Sequence, residues 1–277
     1  MIHSQTTKTL VFMIVVGLRL FDAGCTTLQP AEKPISLSLP AADEPLWNSL
    51  DEIQPENWIH ILNTGDQALE WRLRAIDSAA QSIDLQTFLW NDDQVGQAVL
   101  GHLIEAADRG VRVRLLLDDT FTTTHSDEIW NIDHHPNIEY RIYNPFKRRN
   151  DNLVMRQLMN LGEFGRLDHR MHNKSMIVDN RVAIIGGRNL ADEYFGGHEE
   201  ANFRDMELLC GGPDTTELSV LFDSFWNNDW TFPESEILEA PKAPMSPGEF
   251  KSWISSTTTR GLTENRNQRI QAWTELV

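Results

Sequence analysis

Residues 172–190 read HNKSMIVDNRVAIIGGRNL, and this segment decides the fold. Lys174–Val178 and Val182–Ile185 are short runs rich in aliphatic and β-branched residues, which is typical of buried β-strands. The intervening Asp179-Asn180-Arg181 supplies residues that favour a tight turn. The segment therefore predicts two adjacent strands joined by a short turn.

The flanking sequence alternates between helical and strand periodicity. Thr64 and Gln67 fit a capping box at the start of one helix, and Gly110 follows the end of another. Apolar spacing predicts helices over 64–81, 95–109 and 214–230, and strands over 82–90, 111–117, 138–143 and 204–210. Because helices and strands alternate, we predict an α/β fold in which helices flank a mixed β-sheet. Asp118-Asp119 ends one of these strands.

The net charge limits the partners of this chain. Its 277 residues contain 24 Lys and Arg but 41 Asp and Glu, which gives a formal charge of −17. Such a surface repels polyanions, and this argues against a nucleic-acid partner. Residues 145–174 are the exception, with seven basic residues against three acidic ones. This stretch could attract lipid phosphates, although a solvated loop and helix would have the same composition.

The two ends of the chain differ from its central part. The apolar run Leu10–Leu18 is too short to span a bilayer but suits the core of a secretory signal. Small residues precede Cys25, as at a bacterial lipoprotein processing site, so we predict a signal peptide over 1–24 and lipidation of Cys25. The alternative is an N-terminal helix with an incidental cysteine. Composition predicts linkers over 25–57 and 231–277.

Candidate catalytic residues lie at the start of the 174–178 strand. In an extended segment His172 and Lys174 point to the same side, because positions two apart share a face. An imidazole can attack phosphorus and form a phosphohistidine, and a neighbouring lysine can neutralise the phosphate oxygens. Gly186 and Gly187 would let a phosphate approach the backbone, and Asn189 would add a neutral donor. These residue types predict phosphoryl-transfer chemistry.

The spacing His172-x-Lys174-x4-Asp179-x6-Gly186-Gly187-x-Asn189 matches the HKD signature of the phospholipase D superfamily. Residues 82–119 and 172–196 resemble bacterial cardiolipin synthases that carry two HKD motifs, and the resemblance covers residues 58–230 as one phospholipase D-like domain. It implies a ping-pong reaction that needs no metal and no cofactor. It also implies a catalytic set of His172, Lys174, Asp179, Asn189 and Asp205, with substrate binding by Gly186, Gly187 and Arg188.

Individual roles also follow from this resemblance. Acidic pairs similar to Asp118-Asp119 in the two-motif lipid enzymes imply a structural role for this pair. Asp205 is the best-aligned carboxylate to orient His172, Glu207 is the next in register, and Glu200 is a poorer candidate. For Asp179 we expect a structural role, in which it holds the adjacent turn or a buried cation. A lipid-anchored place in the bacterial cell envelope would bring the site to its substrate, a phospholipid of the phosphatidylglycerol or phosphatidylethanolamine class.

The chain departs from the two-motif pattern because His-x-Lys occurs only once in it. A second histidine must protonate the leaving group, so we expect either a homodimer or a separate C-terminal HKD half, of which 231–277 would be the start. The expected activity is that of a phosphatidyltransferase of cardiolipin synthase type. The alternatives are a phosphodiesterase or nuclease of the same superfamily and a non-catalytic half-domain that acts as a scaffold.

Overall fold

The computed structural model describes residues 28–120, 131–149, 153–238, 245–246, 248–250, 252–253 and 266–276. The predicted signal peptide over 1–24 and the lipidation site Cys25 lie outside these residues. The chain divides into a larger unit, residues 31–145 with 169–277, and a smaller unit, residues 1–30 with 146–168. Residues 146–168, inside the domain expected over 58–230, thus belong to a different unit from the residues on either side of them.

The larger unit is built on a sheet that has eight strands within the described residues. They are β1 (Trp58–Leu62), β2 (Ser82–Thr87), β3 (Arg112–Asp118), β4 (Ile138–Tyr143), β5 (Ser175–Val178), β6 (Val182–Gly186), β7 (Glu207–Gly211) and β8 (Thr231–Pro233). Their order is β1-β7-β6-β5-β2-β3-β4-β8. β3 pairs in parallel with β2 and β4, whereas the other pairs are antiparallel. The predicted α/β fold with a mixed sheet is confirmed.

Helices cover both faces of this sheet. In the larger unit they are α1 (Pro45–Ile53), α2 (Gly65–Ser78), α3 (Gln94–Asp108), α6 (Thr215–Trp226) and α7 (Arg266–Leu276). The smaller unit contains α4 (Leu153–Met159) and α5 (Phe164–Leu167). Short 3₁₀ turns span Leu161–Glu163, Asp192–Tyr194 and Glu234–Glu236. Consecutive strand residues face opposite sides, so Leu115 belongs to the apolar core that also contains residues of α1, α2, α3 and α7, whereas Leu116 belongs to a second cluster with Phe222 of α6.

The helix and strand boundaries follow the predicted ones with small shifts. The Thr64 hydroxyl accepts a hydrogen bond from the Gln67 backbone N–H at 3.3 Å, as the capping box predicts. The predicted helix over 64–81 ends at Ser78, and the predicted strand over 82–90 ends at Thr87. Residues beyond Thr87 thus leave the ladder, and Phe88 then lies near the start of β5, because β2 and β5 are antiparallel.

Both predicted linkers contain structured segments. Residues 45–53 form α1, whose Leu46, Trp47 and Leu50 are buried, and β8 adds an edge strand beside β4. Trp273 of α7 is fully buried, with its ring 5.3 Å from that of Trp47 and 5.0 Å from that of Trp71. The composition of these segments, rich in proline and acidic residues, predicts linkers. A few large apolar residues are nevertheless enough to bury parts of both segments.

The smaller unit is described over residues 28–30, 146–149 and 153–168. The Arg156 guanidinium lies 4.9 Å from the Phe146 ring, and Asn160 exchanges two hydrogen bonds with the backbone of Arg148. Val154 and Leu158 leave α4 with an exposed apolar side. Among the described residues of the whole chain, no helix is both long enough and apolar enough to cross a bilayer.

Asp179 anchors the turn between β5 and β6. Asp179 and Asn180 both adopt positive φ, as the predicted tight turn requires. The buried Asp179 carboxylate accepts hydrogen bonds from the backbone N–H groups of Ala80, Gln81 and Ser82 at 2.7–2.9 Å and from Trp47 Nε1 at 2.6 Å. The Asp179 carboxylate thereby links the hairpin to the start of β2 and to α1. Its hydrogen-bond partners on these elements are all N–H groups.

Replacing Asp179 by Ala should destabilise the fold by about 3 kcal/mol or more, because several buried donors would lose their acceptor together. Urea unfolding of the full chain measures the change. Glu52→Ala is the control, since it removes an exposed carboxylate from α1. An Asp179→Ala protein as stable as wild type would contradict this account of the turn.

Glu234 makes the stability of the larger unit depend on pH. Its side chain is 1% exposed, and neither carboxylate oxygen has a hydrogen-bond partner among the described residues. Burial, with a smaller contribution from the charge of Asp133, raises the pKa of Glu234 to about 7. The folded state therefore binds more protons than the unfolded state between pH 4.5 and about 7, and stability falls as the pH rises through this window.

Glu234→Gln should consequently stabilise the protein at pH 8 by about 1–3 kcal/mol and have little effect at pH 4.5, where the glutamate is already neutral. Unfolding curves at both pH values test this expectation. Glu236→Gln, on the exposed side of the same 3₁₀ turn, should not show the same pH dependence. Equal effects of Glu234→Gln at the two pH values would exclude the proposed titration.

Candidate active site

His172 and Lys174 lie together at the entrance to β5. The Lys174 Nζ is 3.1 Å from His172 Nδ1 and donates a hydrogen bond to the His172 carbonyl oxygen at 2.8 Å. The imidazole is exposed, whereas the lysine is 7% exposed. Because Nδ1 faces the lysine, Nε2 is the ring nitrogen that remains available to attack a substrate. The predicted side-by-side arrangement is present.

Phe88 packs against both of these side chains. Its ring centroid lies 4.8 Å from that of His172, and the Lys174 Nζ lies 5.4 Å from it. Burial lowers the pKa of Lys174, and the nearby Asp205 carboxylate opposes this shift. An ammonium that has lost part of its hydration interacts more strongly with an anion than one in water. The geometry therefore provides a binding position for a phosphate oxygen beside the imidazole.

Gly186 and Gly187 allow the start of β7 to approach β6 closely. A Cβ at Gly186 would lie 2.7 Å from the Met206 carbonyl oxygen, and one at Gly187 would overlap the Asp205 carboxylate. Larger residues would therefore push Asp205 away from Lys174. The close approach of these strands is by itself a reason for glycine at both positions. Contact of the two glycines with a substrate phosphate stays a prediction.

Arg188 is occupied by protein carbonyl groups. The guanidinium is 2% exposed and donates to the backbone oxygens of Leu62 and Asn63 at 3.2 Å, to that of Tyr194 at 3.1 Å, and to that of Asp205. These four bonds join the end of β1 to the loop that leads into β7. The geometry describes a structural role for Arg188, and a role in substrate binding stays a prediction.

Asn189 links the segment after β6 to the segment after β2. Its Oδ1 accepts from the Leu89 backbone N–H at 3.2 Å, and its Nδ2 donates to the Tyr194 hydroxyl at 2.8 Å. Asn189 is 5% exposed, so it faces these partners more than solvent. The contact with Leu89 fixes the chain next to Phe88, which in turn packs on His172.

The three carboxylates considered for orienting His172 have different surroundings. Asp205 is partly exposed and lies close enough to Lys174 to raise its pKa, although no hydrogen bond joins Asp205 to His172 among the described residues. Glu207 is 1% exposed and forms an ion pair with Arg72 at 2.7 Å. Glu200 is exposed in a loop. Of the three, Asp205 is thus the carboxylate whose charge acts on the pKa of Lys174.

A comparison with known families identifies the group to which this site belongs. The family model described as "Cardiolipin synthase, PLD-like domain" matches residues 73–226. The chain belongs to the phospholipase D superfamily. The predicted membership is confirmed, and the family is one of phosphatidyltransferases and phosphodiesterases.

The curated relatives are bacterial and longer than this phospholipase D-like chain. Cardiolipin synthase C of Escherichia coli K12 is 39% identical over 175 residues, which are 63% of this chain and 36% of the relative. Cardiolipin synthase B of the same strain is 31% identical over 157 residues, which are 57% of this chain and 35% of the relative. The chain thus spans little more than a third of the length of these relatives.

Among solved structures, NucT from Helicobacter pylori is a distant likeness. It is 16% identical with a TM-score of 0.46, and the match covers 62% of this chain and 96% of NucT.

A possible metal-binding group lies on other elements of the phospholipase D-like fold. Within the described part of the chain, only Asp77, His102 and Glu105 bring three ligand atoms within 4.8 Å of one another. These residues belong to α2 and α3 and are not part of the HKD segment. His102 Nδ1 lies 2.7 Å from Asp77 Oδ1, and this direct hydrogen bond accounts for the cluster. At the His172 site, the positive charge beside the imidazole is that of the Lys174 ammonium group.

Asp118 holds the segment that precedes His172, a role that the sequence did not reveal. The buried carboxylate accepts from the Arg170 guanidinium at 3.1 Å and from the Met171 backbone N–H at 2.9 Å. Arg170 also donates to the Asn144 carbonyl oxygen at 2.9 Å. The acidic pair at the end of β3 indicated a structural role, but its partners are more than 50 residues away in the chain.

Asp118→Asn should loosen the 170–172 segment locally, because the ion pair with Arg170 and one strong acceptor for Met171 are lost. Amide hydrogen exchange should show Met171 losing protection by tenfold or more before the amides of β5 do. Asp92→Asn, at an exposed position, is the control. Equal losses of protection at Met171 and throughout β5 would show a global destabilisation instead of a local hold on the site.

Proposed function

We propose that this chain is a phosphatidyltransferase of cardiolipin synthase type that acts through a phosphohistidine at His172. The observation that supports the proposal is the exposed His172 imidazole, whose Nδ1 lies 3.1 Å from the desolvated Lys174 ammonium. This pair combines a nucleophile with a cation for the phosphate oxygens. The similarity to two cardiolipin synthases agrees with it.

In the first step of this reaction, His172 Nε2 attacks the phosphorus of a phospholipid. A P–N bond forms, the P–O bond to the head-group alcohol breaks, and a general acid protonates the leaving oxygen. In the second step the hydroxyl of an acceptor lipid attacks the phosphohistidine, the P–N bond breaks, and the same group now accepts the proton of that hydroxyl. Lys174 stabilises the negative charge on the phosphate oxygens in both steps.

The general acid must come from a second HKD segment. This chain contains one His-x-Lys and spans little more than a third of the synthases that it resembles. We propose that either a second copy of the chain or a C-terminal half supplies the second histidine. The exposure of His172 supports this arrangement, because a partner can reach the opposite side of the phosphorus.

The remaining roles proposed for the site and the membrane follow from the same reaction. Asp205 would orient the imidazole in the assembled enzyme, and Asn189 would contribute a donor to the phosphate. Lipidation at Cys25 would hold the protein at the bacterial membrane, where a phosphatidylglycerol or phosphatidylethanolamine donor is present. The formal charge of −17 argues against a nucleic-acid substrate.

Lipid mass spectrometry after incubation with phosphatidylglycerol and phosphatidylethanolamine tests the proposal. The wild-type chain, assembled with its partner half if it is not active alone, should form a doubly phosphorylated lipid. His172→Ala should lower the rate at least 10³-fold because the covalent step is lost. His169→Ala, at an exposed histidine three residues earlier, should keep most of the activity. Equal product with His172→Ala would refute the assigned nucleophile.

Hydrolysis is the second candidate function, because the exposed His172 leaves a phosphohistidine accessible to water. With water as acceptor the product from a phospholipid is phosphatidic acid. The same mass spectra separate the two reactions, since phosphatidic acid without a doubly phosphorylated lipid would establish a phosphodiesterase. A strict monomer that forms neither product, with or without a C-terminal half, would support a scaffold role.

A further inference from the structure

The ring of Phe88 contacts both His172 and Lys174, although Phe88 lies outside the HKD signature. Its centroid is 4.8 Å from that of the imidazole, and the Lys174 Nζ lies 5.4 Å from it. The planes of the phenyl and imidazole rings are inclined at 54°, so the two rings meet obliquely. Phe88 thus provides an apolar contact for an imidazole that is exposed to solvent and that faces Lys174 with its Nδ1.

The backbone that follows Phe88 is held by the segment after β6. The Leu89 N–H donates to Asn189 Oδ1 at 3.2 Å, and the Leu89 carbonyl oxygen accepts from the Leu190 N–H at 3.1 Å. The Asn91 N–H donates to the Leu190 carbonyl oxygen at 2.9 Å. These three hydrogen bonds fix the chain next to Phe88, so the ring approaches the imidazole from a backbone that is itself held in place.

A phenyl ring suits a buried ammonium whose charge is needed for a phosphate. Burial lowers the pKa of Lys174, because the charged form loses part of its hydration. A carboxylate bonded directly to the ammonium would compensate for this loss, but it would also neutralise the charge that a phosphate oxygen requires. The face of an aromatic ring attracts a cation and adds no net charge. Phe88 therefore stabilises the Lys174 ammonium and leaves its charge available.

We propose that Phe88 is a positioning residue for phosphoryl transfer at His172. Its ring holds the imidazole with Nδ1 toward Lys174 and Nε2 toward the substrate, and it keeps the ammonium beside the imidazole. Phe88 acts through these two side chains and is not assigned a contact with the substrate. The proposal rests on the proposed function. It adds to the site a residue from the segment after β2, whereas the HKD signature lies wholly within residues 172–189.

Three substitutions separate the aromatic ring from the apolar volume of the side chain. Phe88→Leu keeps an apolar side chain but removes the ring, whereas Phe88→Tyr keeps the ring. Phe225→Leu is the matched control, because Phe225 is also a half-buried phenylalanine, and its ring packs on Tyr143 at 5.8 Å. Urea unfolding of each variant measures whether the fold is retained, so that a change in rate can be separated from a loss of stability.

Formation of the doubly phosphorylated lipid is measured with the full chain, assembled with its partner half if it is not active alone. Phe88→Leu should lower kcat about tenfold and change KM less than about threefold, because the imidazole is less often in position for attack while binding of the lipid is retained. Phe88→Tyr should restore most of the wild-type kcat, and Phe225→Leu should leave it unchanged. NMR without substrate should show the His172 ring protons at new positions in Phe88→Leu, because the ring current of the phenyl group is lost, but near their wild-type positions in Phe88→Tyr.

Three kinetic results would overturn the proposal. They are a wild-type kcat in Phe88→Leu, equal losses of kcat in Phe88→Leu and Phe88→Tyr, and a raised KM with unchanged kcat, which would place Phe88 in contact with the substrate.

Failure of the proposed function gives a different pattern, since product would then form equally in His172→Ala or not at all. In that case the NMR comparison still decides the position of the ring. His172 signals that are identical in wild type and Phe88→Leu would refute the positioning role, whereas signals that differ between these two proteins and are restored in Phe88→Tyr would support it.

Discussion

The buried carboxylate of Asp179 is the constraint on which the arrangement of the site depends. It joins the β5–β6 turn to three backbone N–H groups at the start of β2. The antiparallel register that begins at Ile83 and Val178 then places Ser175 opposite Gln86 at the far end of the two strands. Phe88 follows β2 and Lys174 precedes β5 at this end, and the two side chains meet because the register is set at the opposite end of the two strands.

The residues around His172 are held in place by their neighbours, whereas the His172 imidazole itself is exposed to solvent. Lys174 is buried against Phe88, and the loop before His172 is held by Asp118, but the imidazole itself is exposed. Rigid neighbours lower the entropy that must be lost when a phosphate is positioned for attack. In the proposed reaction, exposure of His172 leaves the opposite side of the phosphorus open to the proton donor that this reaction needs.

The glycines and Arg188 show how a motif can serve the fold and the chemistry together. Gly186 and Gly187 permit the approach of β7, and Arg188 binds four carbonyl groups around it. Both features bring Asp205 to Lys174, where its charge partly offsets the effect of burial on the pKa of the lysine. The spacing of the HKD signature therefore encodes the packing of three adjacent strands as well as the positions of reactive groups.

The sequence by itself determined the α/β class, the β5–β6 hairpin, and the shared side of His172 and Lys174, because local periodicity and turn chemistry decide these features. It also indicated that Asp179 is structural. Only the tertiary structure decided that Asp118 holds Arg170, that Trp273 completes the core, and that Arg188 faces carbonyl groups. These contacts join residues far apart in the chain, so they depend on the packing of the whole sheet, which no local pattern of residues specifies.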